Sequence, residues 1–218
     1  MEHLILASLV LLTHVHAAEP LVAFPGAEGY GRFAIGGRGG DVYHVTNLND
    51  SGEGSLRDAI KTKKADMPRT VVFEVGGTIP LKKDLRIEGV KGLTLAGQTV
   101  PGGEITLRDH GIEFRKCSDV IVRFMRFRLG DETKTSEDVI GFGPEEGTCR
   151  DVILDHVTAT WGIDGIMDMA RTGVNVVSIL GSGTPYSRSS IVYNEGAGTG
   201  SRALEGSLNG SRLPWQFT

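Results

Sequence analysis

The sequence is poor in aromatic residues and has no excess of positive charge. Phe, Trp and Tyr make up 6% of its 218 residues, and the formal net charge is −4. An acidic chain has no general attraction for polyanions, so an acidic ligand would need a local basic patch or a bound cation. We therefore expect no nucleic-acid partner.

Motifs of several common enzyme classes are also missing. The sequence has no Cys and His spacing of the zinc-binding kind and no Gly-x-Ser-x-Gly. The glycine-rich stretch GGRGG, which begins at Gly36, lacks the Gly-Lys-Ser/Thr of a phosphate-binding loop. A turn is the better interpretation of that stretch.

Long apolar runs are absent beyond the first residues. The run from Leu4 to Leu12 is too short to span a membrane, and the small residues Ala17 and Ala18 follow it. The pattern predicts a secretory signal over residues 1–18, with a buried N-terminal strand as the alternative. We therefore expect a secreted, extracellular protein that makes no membrane contact.

Glycine, in contrast, is abundant, at 31 of 218 residues, and shows no three-residue collagen period. A short strand pattern also recurs around Leu93, Val120, Val152 and, more weakly, Val174. Each unit is a β-branched run after a polar turn, and no helical period separates the units. Strands repeating every twenty to thirty residues or so predict an all-β, right-handed parallel β-helix. A β-sandwich is the alternative, but it would not explain why the units resemble each other.

The two cysteines fit the same repeat. Cys117 and Cys149 each stand shortly before the valine of their unit, so stacked coils would place one above the other. That geometry would permit a disulfide in a secreted chain, and two reduced core thiols are the alternative. Neither interpretation is catalytic, because no activating His is adjacent.

One helix is predicted near the N-terminus, in GEGSLRDAIKTKK. Leu56, Ala59 and Ile60 would share one of its faces. Such a helix would cover the open end of the β-helix core.

Acidic residues interrupt the apolar stretch WGIDGIMDMA. In a strand, Asp164 and Asp168 point outward on the same side, while Ile163, Met167 and Met169 point into the core. Two like charges on one face favour a cation between them, and hard oxygen ligands suit calcium. Asp138, about one coil earlier, would supply a third ligand. Solvated surface acids are the alternative.

Longer motifs add a resemblance to a known family. They are AFPGAEGYGRFAIGGRGGDVYHVTNLNDSGEGSLRDAI, LTLAGQTVPGG, VIVRFMRFRLGD, EDVIGFG and DVILDHVTATWGIDGIMD. From Ala23 to about Met169 the chain resembles the pectate lyases of polysaccharide lyase family 1. The resemblance implies a parallel β-helix and calcium-assisted cleavage of polygalacturonate, the pectin backbone, by β-elimination. We expect a monomer with Ca²⁺ as cofactor.

The resemblance also assigns site residues. It places the calcium carboxylates on Asp138, Asp164 and Asp168. Asp155 and His156 match a strand motif that ends in Asp-His, whose role is positioning within the site. A hydrogen-bonded pair in the core is the alternative for these two residues.

The C-terminal third carries two weaker matches. SRSSI resembles the segment with a substrate-binding basic residue, which would be Arg188, and SRLP resembles the Arg-x-Pro around the catalytic base, which would be Arg212. The alternative for each arginine is a chance match. The second arginine that usually follows the Arg-x-Pro is absent from residues 215–218.

These observations predict three segments. Residues 1–18 are the signal peptide, residues 19–187 the β-helical lyase domain, and residues 188–218 an irregular, truncated C-terminal segment. Two other functions stay open: a non-catalytic, calcium-dependent pectate-binding β-helix and a polygalacturonase-type hydrolase. The hydrolase is the weaker of the two, because the sequence has no Asn-Thr-Asp-Gly and no adjacent Asp pair.

Overall fold

The computed structural model describes most of the chain from Leu21 to Met169 and parts of the C-terminal segment. The described ranges are residues 21–142 and 149–169, without the side chains of Tyr30, Asp168 and Met169, and the backbones of residues 177–184, 187–193, 204–208 and 211–215. The predicted signal peptide lies outside them. Among the described residues, no helix is long and apolar enough to cross a membrane.

The longest of three sheets, sheet A, contains nine strands. They are β1 (Asp41–Val45), β2 (Arg69–Phe73), β5 (Lys91–Ala96), β8 (Ser118–Arg123), β11 (Arg150–Asp155), β14 (Val177–Thr184), β15 (Ser187–Tyr193), β16 (Leu204–Leu208) and β17 (Ser211–Trp215). Neighbours from β1 to β14 pair in parallel, and those from β14 to β17 pair antiparallel.

Two four-stranded parallel sheets complete the walls. Sheet B contains β3 (Gly77–Pro80), β6 (Ile105–Arg108), β9 (Met125–Arg128) and β12 (Thr158–Thr160). Sheet C contains β4 (Leu85–Glu88), β7 (Ile112–Arg115), β10 (Asp138–Phe142) and β13 (Gly165–Met169). The chain passes from sheet A to B to C and back to A, so each circuit is one coil. This confirms the predicted parallel β-helix, whose right-handed sense is the rule for parallel crossovers.

The core consists of columns of apolar side chains, one from each coil. Leu93, Val120 and Val152 align across β5, β8 and β11, and all three are fully buried. In sheet C, the rings of Phe114 and Phe142 stack with centroids 4.8 Å apart. Repetition of the same position in each coil produces the repeat seen in the sequence.

The fourth member of that repeat was predicted wrongly. The register aligns Val177 with Val152, whereas Val174 lies outside the described residues. Polar turns between coils vary in length without disturbing the walls, so a fixed offset cannot locate the next strand.

The predicted capping helix is present as α1 (Leu56–Lys61). The Ser55 side chain caps it by accepting a hydrogen bond from the backbone N–H of Asp58, at 3.2 Å. Leu56, Ala59 and Ile60 are buried in the main core, as predicted from their shared face.

The two cysteines also stack as predicted. The Sγ atoms of Cys117 and Cys149 lie 3.4 Å apart in the buried wall, and both are free thiols. The hydrogen bond from Cys117 lowers the pKa of Cys149 to about 7, while the same contact and burial raise the pKa of Cys117. Because the two thiols share a proton, the pKa of one is lowered and the pKa of the other is raised.

The C-terminal segment differs from the expectation of an irregular chain, since β15, β16 and β17 extend sheet A antiparallel within it. Glycine and serine, which interrupt almost every possible strand there, hid these strands from pattern analysis.

Candidate functional site

Two of the three predicted carboxylates come together at the start of neighbouring strands in sheet C. Asp138 is the first residue of β10 and aligns with Gly165, the first residue of β13. Asp164 immediately precedes β13, and its backbone N–H donates to the carbonyl of Glu137, at 3.3 Å. Residues far apart in sequence are therefore adjacent on successive coils.

The absence of a side chain at Gly165 leaves the space that the Asp138 carboxylate occupies. A Cβ atom added to Gly165 would lie 2.3 Å from Oδ1 of Asp138, well inside contact distance. The carboxylate therefore lies directly against the β13 backbone, beside Asp164. Any side chain at position 165 would displace it.

Asp164 is exposed, and Asp168 lies further along β13, where it aligns with Gly141. The side chain of Asp168 is outside the described part of the structure. In an extended strand, Cα atoms four residues apart are separated by about 13 Å, and two ligands of one calcium ion lie within about 5 Å of each other. Asp164 and Asp168 can therefore bind the same calcium ion only if the chain is not extended between them. The bend at Ile163 and Asp164, just before β13, changes the chain direction there.

The same bend corrects one orientation predicted from the sequence. Met167 packs against the core as expected, but Ile163 is 47% exposed. Strand alternation does not extend to Ile163, because β13 begins only at Gly165.

The donor set fits calcium. Asp138 and Asp164 offer carboxylate oxygens at the protein surface, where water and a ligand can complete a shell of six to eight oxygens or so. The cleared space over Gly165 holds one of these carboxylates close to the other strand. This part of the site could bind the ion together with an acidic ligand.

The two predicted arginines lie in a different sheet. Arg188 is in β15 and aligns with Ser182, and Arg212 is in β17 and aligns with Ser207. Their side chains are outside the described part of the structure. Their backbones belong to the antiparallel extension of sheet A, whereas the aspartates belong to sheet C. The roles of both arginines stay predictions.

Asp155 and His156 form a local network in sheet A. Oδ2 of Asp155, which is 2% exposed, accepts a hydrogen bond from Nε of Arg123 at 2.6 Å, and Oδ1 lies 2.7 Å from Nδ1 of His156. The His156 ring stacks on Phe124, and the Arg123 guanidinium lies over Phe24. These contacts favour the hydrogen-bonded pair over a role beside the sheet C carboxylates.

Sequence reasoning missed a cluster next to this site. Asp84, His110 and Glu137 lie on successive coils at the corner that leads into sheet C, and their ligand atoms lie within 4.8 Å of one another. Burial, followed by the hydrogen bond with Glu137 and the charge of Glu137, raises the pKa of Asp84. The available signal was their spacing of one coil each, as in the 27 residues that separate His110 from Glu137.

Ion pairs cover the adjoining outer face of sheet C. Nε of Arg86 and Nη2 of Arg115 each lie 3.0 Å from Oε2 of Glu113. Arg86 is half exposed, and a second acid, Asp84, lies 3.7 Å from its guanidinium, so its charge is met by acids within the protein.

The structure is a parallel β-helix that carries two neighbouring aspartates, Asp138 and Asp164, on sheet C. Among solved structures, the chain is similar to jun a 1, the major allergen from cedar pollen, with a TM-score of 0.53 and 21% identity over 72% of this chain and 52% of that one. This likeness supports the fold alone.

Curated relatives identify the family, although no family model matches the chain. It is 44% identical to "Probable pectate lyase C" of Emericella nidulans over 178 residues, which is 80% of this chain and 40% of the relative. It is 43% identical to the protein of that name from Aspergillus terreus, over 78% of this chain and 38% of the relative. It is 30% identical to "Probable pectate lyase 12" of Arabidopsis thaliana, over 68% of this chain and 33% of the relative.

The chain belongs to the pectate lyase family. It spans about two fifths of the length of the fungal relatives that it matches.

Proposed function

We propose that the protein is a secreted pectate lyase that cleaves polygalacturonate by calcium-assisted β-elimination. The observation that carries the proposal is the placement of Asp138 against Gly165 and beside Asp164, within a β-helix whose relatives are named pectate lyases. The apolar run from Leu4 to Leu12 supports secretion.

Asp138, Asp164 and Asp168 would hold the calcium ion. When bound, the ion would neutralise a galacturonate carboxylate and make the neighbouring C5 proton more acidic. By holding the ion, Asp138 and Asp164 would position the galacturonate carboxylate against sheet C.

Arg212 would remove the C5 proton. A free arginine stays protonated in proteins, so this role requires a strongly cationic environment that stabilises its neutral form. Arg188 would bind a substrate carboxylate through its planar guanidinium. Both roles rest on the resemblance of SRLP and SRSSI to family motifs.

The test is formation of the unsaturated product. Elimination leaves a C4=C5 double bond conjugated to the carboxylate, which absorbs ultraviolet light, whereas hydrolysis leaves no such bond. We expect calcium-dependent absorbance growth on polygalacturonate that a chelator abolishes. Asp164→Ala should abolish it as well, and Arg212→Ala should reduce it by at least about a hundredfold if the base is correctly assigned.

Asp66→Ala is the matched control, because Asp66 is an exposed aspartate outside sheet C. It should retain the wild-type rate. Reducing ends without absorbance would favour a hydrolase and contradict the proposal.

A calcium-dependent pectate-binding protein is the second candidate. It is favoured by the location of Arg188 and Arg212 in the extension of sheet A, a different sheet from the one that carries the aspartates. Binding of oligogalacturonate that needs calcium and Asp164, without either product, would support it.

A further inference from the structure

Three side chains outside the proposed calcium site meet at the corner between sheets B and C. Asp84 immediately precedes β4, His110 lies just before β7, and Glu137 immediately precedes β10. The three side chains are only 22%, 14% and 26% exposed, respectively. Each comes from a different coil, so the cluster joins three successive turns of the β-helix.

The ligand atoms are spaced like the corners of a metal coordination shell. Nδ1 of His110 lies 3.3 Å from each carboxylate oxygen of Glu137 and 3.9 Å from Oδ1 of Asp84. In a tetrahedral zinc site with bonds of about 2.0–2.1 Å, the ligand atoms are about 3.4 Å apart. A modest closure around an ion would bring the three groups into that geometry.

Hydrogen bonds within the cluster leave its charge poorly balanced. A single Nδ1–H cannot donate fully to both carboxylates, and a carboxylate oxygen of Asp84 lies within 4.8 Å of one of Glu137. The neighbouring donors are the backbone N–H of Gly111, at 3.4 Å from Glu137, and Arg86, at 3.7 Å from Asp84. Arg86 contacts Glu113 more closely, at 3.0 Å.

The mixed donor set selects the class of ion. Imidazole nitrogen suits zinc and other transition metals, whereas calcium takes oxygen ligands. We propose that Asp84, His110 and Glu137 bind a divalent transition-metal ion, with zinc the best match, and that water completes its shell. The ion would connect three coils and stabilise the wall that also carries Asp138 and Asp164.

Zinc titration of the metal-free full chain tests the proposal. Calorimetry should show that wild type binds one more equivalent of zinc than His110→Ala does. Zinc should raise the melting temperature of wild type but not that of His110→Ala. Glu137→Gln, which keeps the shape of the side chain, should weaken the same equivalent at least about tenfold. Circular dichroism of each variant checks that it is folded.

Two controls separate this site from others. His44→Ala removes an exposed histidine that contacts the single carboxylate of Glu74, and it should keep the extra zinc equivalent. Asp164→Ala should also keep it, even where calcium binding is lost. Zinc binding unchanged in His110→Ala, or displacement of the zinc by millimolar calcium, would overturn the proposal.

Discussion

Asp155 and Asp164 come from the same short stretch of sequence but lie in opposite environments. Asp155 ends β11 of sheet A, where it is buried and bonded to Arg123 and His156. Asp164 lies immediately before β13 of sheet C, where it is exposed beside Asp138. One acid has its cation within the protein, whereas the other lies next to a second acid.

This difference separates structural from functional carboxylates. A buried carboxylate with a fixed partner contributes to folding, and its loss leaves the partner's charge unpaired. Asp164 is exposed next to the partly buried Asp138, and two neighbouring carboxylates repel each other, so a cation between them would stabilise the pair. The proposed transition-metal site at Asp84 and Glu137 rests on a different feature, the spacing of their oxygens around Nδ1 of His110.

The largest expected effect is on stability, from Asp155→Ala. The substitution leaves Arg123 without its carboxylate in a mostly buried position, and we expect a loss of about 3 kcal/mol in the free energy of unfolding. Denaturant titration measures this loss. Calcium affinity of the folded variant should be unchanged, and a selective loss of calcium binding would contradict the structural role.

Gly165→Ala should act on calcium rather than on folding. The new methyl group would collide with Oδ1 of Asp138, the end of a flexible side chain, which can move aside at low cost to stability. We expect calcium affinity to fall about tenfold, or about 1.4 kcal/mol. Titration calorimetry measures it, and Gly103→Ala, where an added Cβ meets nothing within 4 Å, is the matched control.

Asp164→Ala should barely change the stability of the calcium-free protein. Surface substitutions usually stay within about 0.5 kcal/mol, and Asp164 is exposed. Chemical unfolding in a chelator provides the comparison with Asp155→Ala. A loss as large as that of Asp155→Ala would remove the distinction between the two aspartates.

The smallest effect is a pH dependence at Asp84. Its pKa is raised in the folded protein by burial and by Glu137, while Arg86 and His110 oppose the rise. The protonated form is therefore favoured by folding, and that stabilisation is complete below the unfolded pKa and lost as pH rises through the folded pKa. In metal-free protein, Asp84→Asn should gain stability relative to wild type as pH rises from about 3 to 7. If Asp84→Asn instead lost stability relative to wild type as pH rises, the proposed repulsion between Asp84 and Glu137 would be contradicted.

The fold was readable from the sequence because every coil fills the same core position. Leu93, Val120 and Val152 carry that repetition, and the register confirms it. The bend before Gly165 was not readable, so Ile163 was placed on the wrong face. The strands β15–β17 were missed because their glycines and serines follow no apolar alternation.

The sites were readable only in part. Asp138 and Asp164 were found from strand alternation and coil spacing and then matched to the family motifs, and the structure adds the glycine that leaves space for the Asp138 carboxylate. Asp84, His110 and Glu137 escaped detection because each coil contributes a different residue type, and a search for repeated identities does not join them.

Calcium titration in the presence of oligogalacturonate tests the central claim most directly. Wild type and the Asp66→Ala control should bind calcium equally, because Asp66 is exposed outside sheet C. Asp138→Ala and Asp164→Ala should each lose at least about tenfold in affinity, which corresponds to about 1.4 kcal/mol. Wild-type calcium affinity in both folded variants would show that the paired carboxylates of sheet C are not the calcium site.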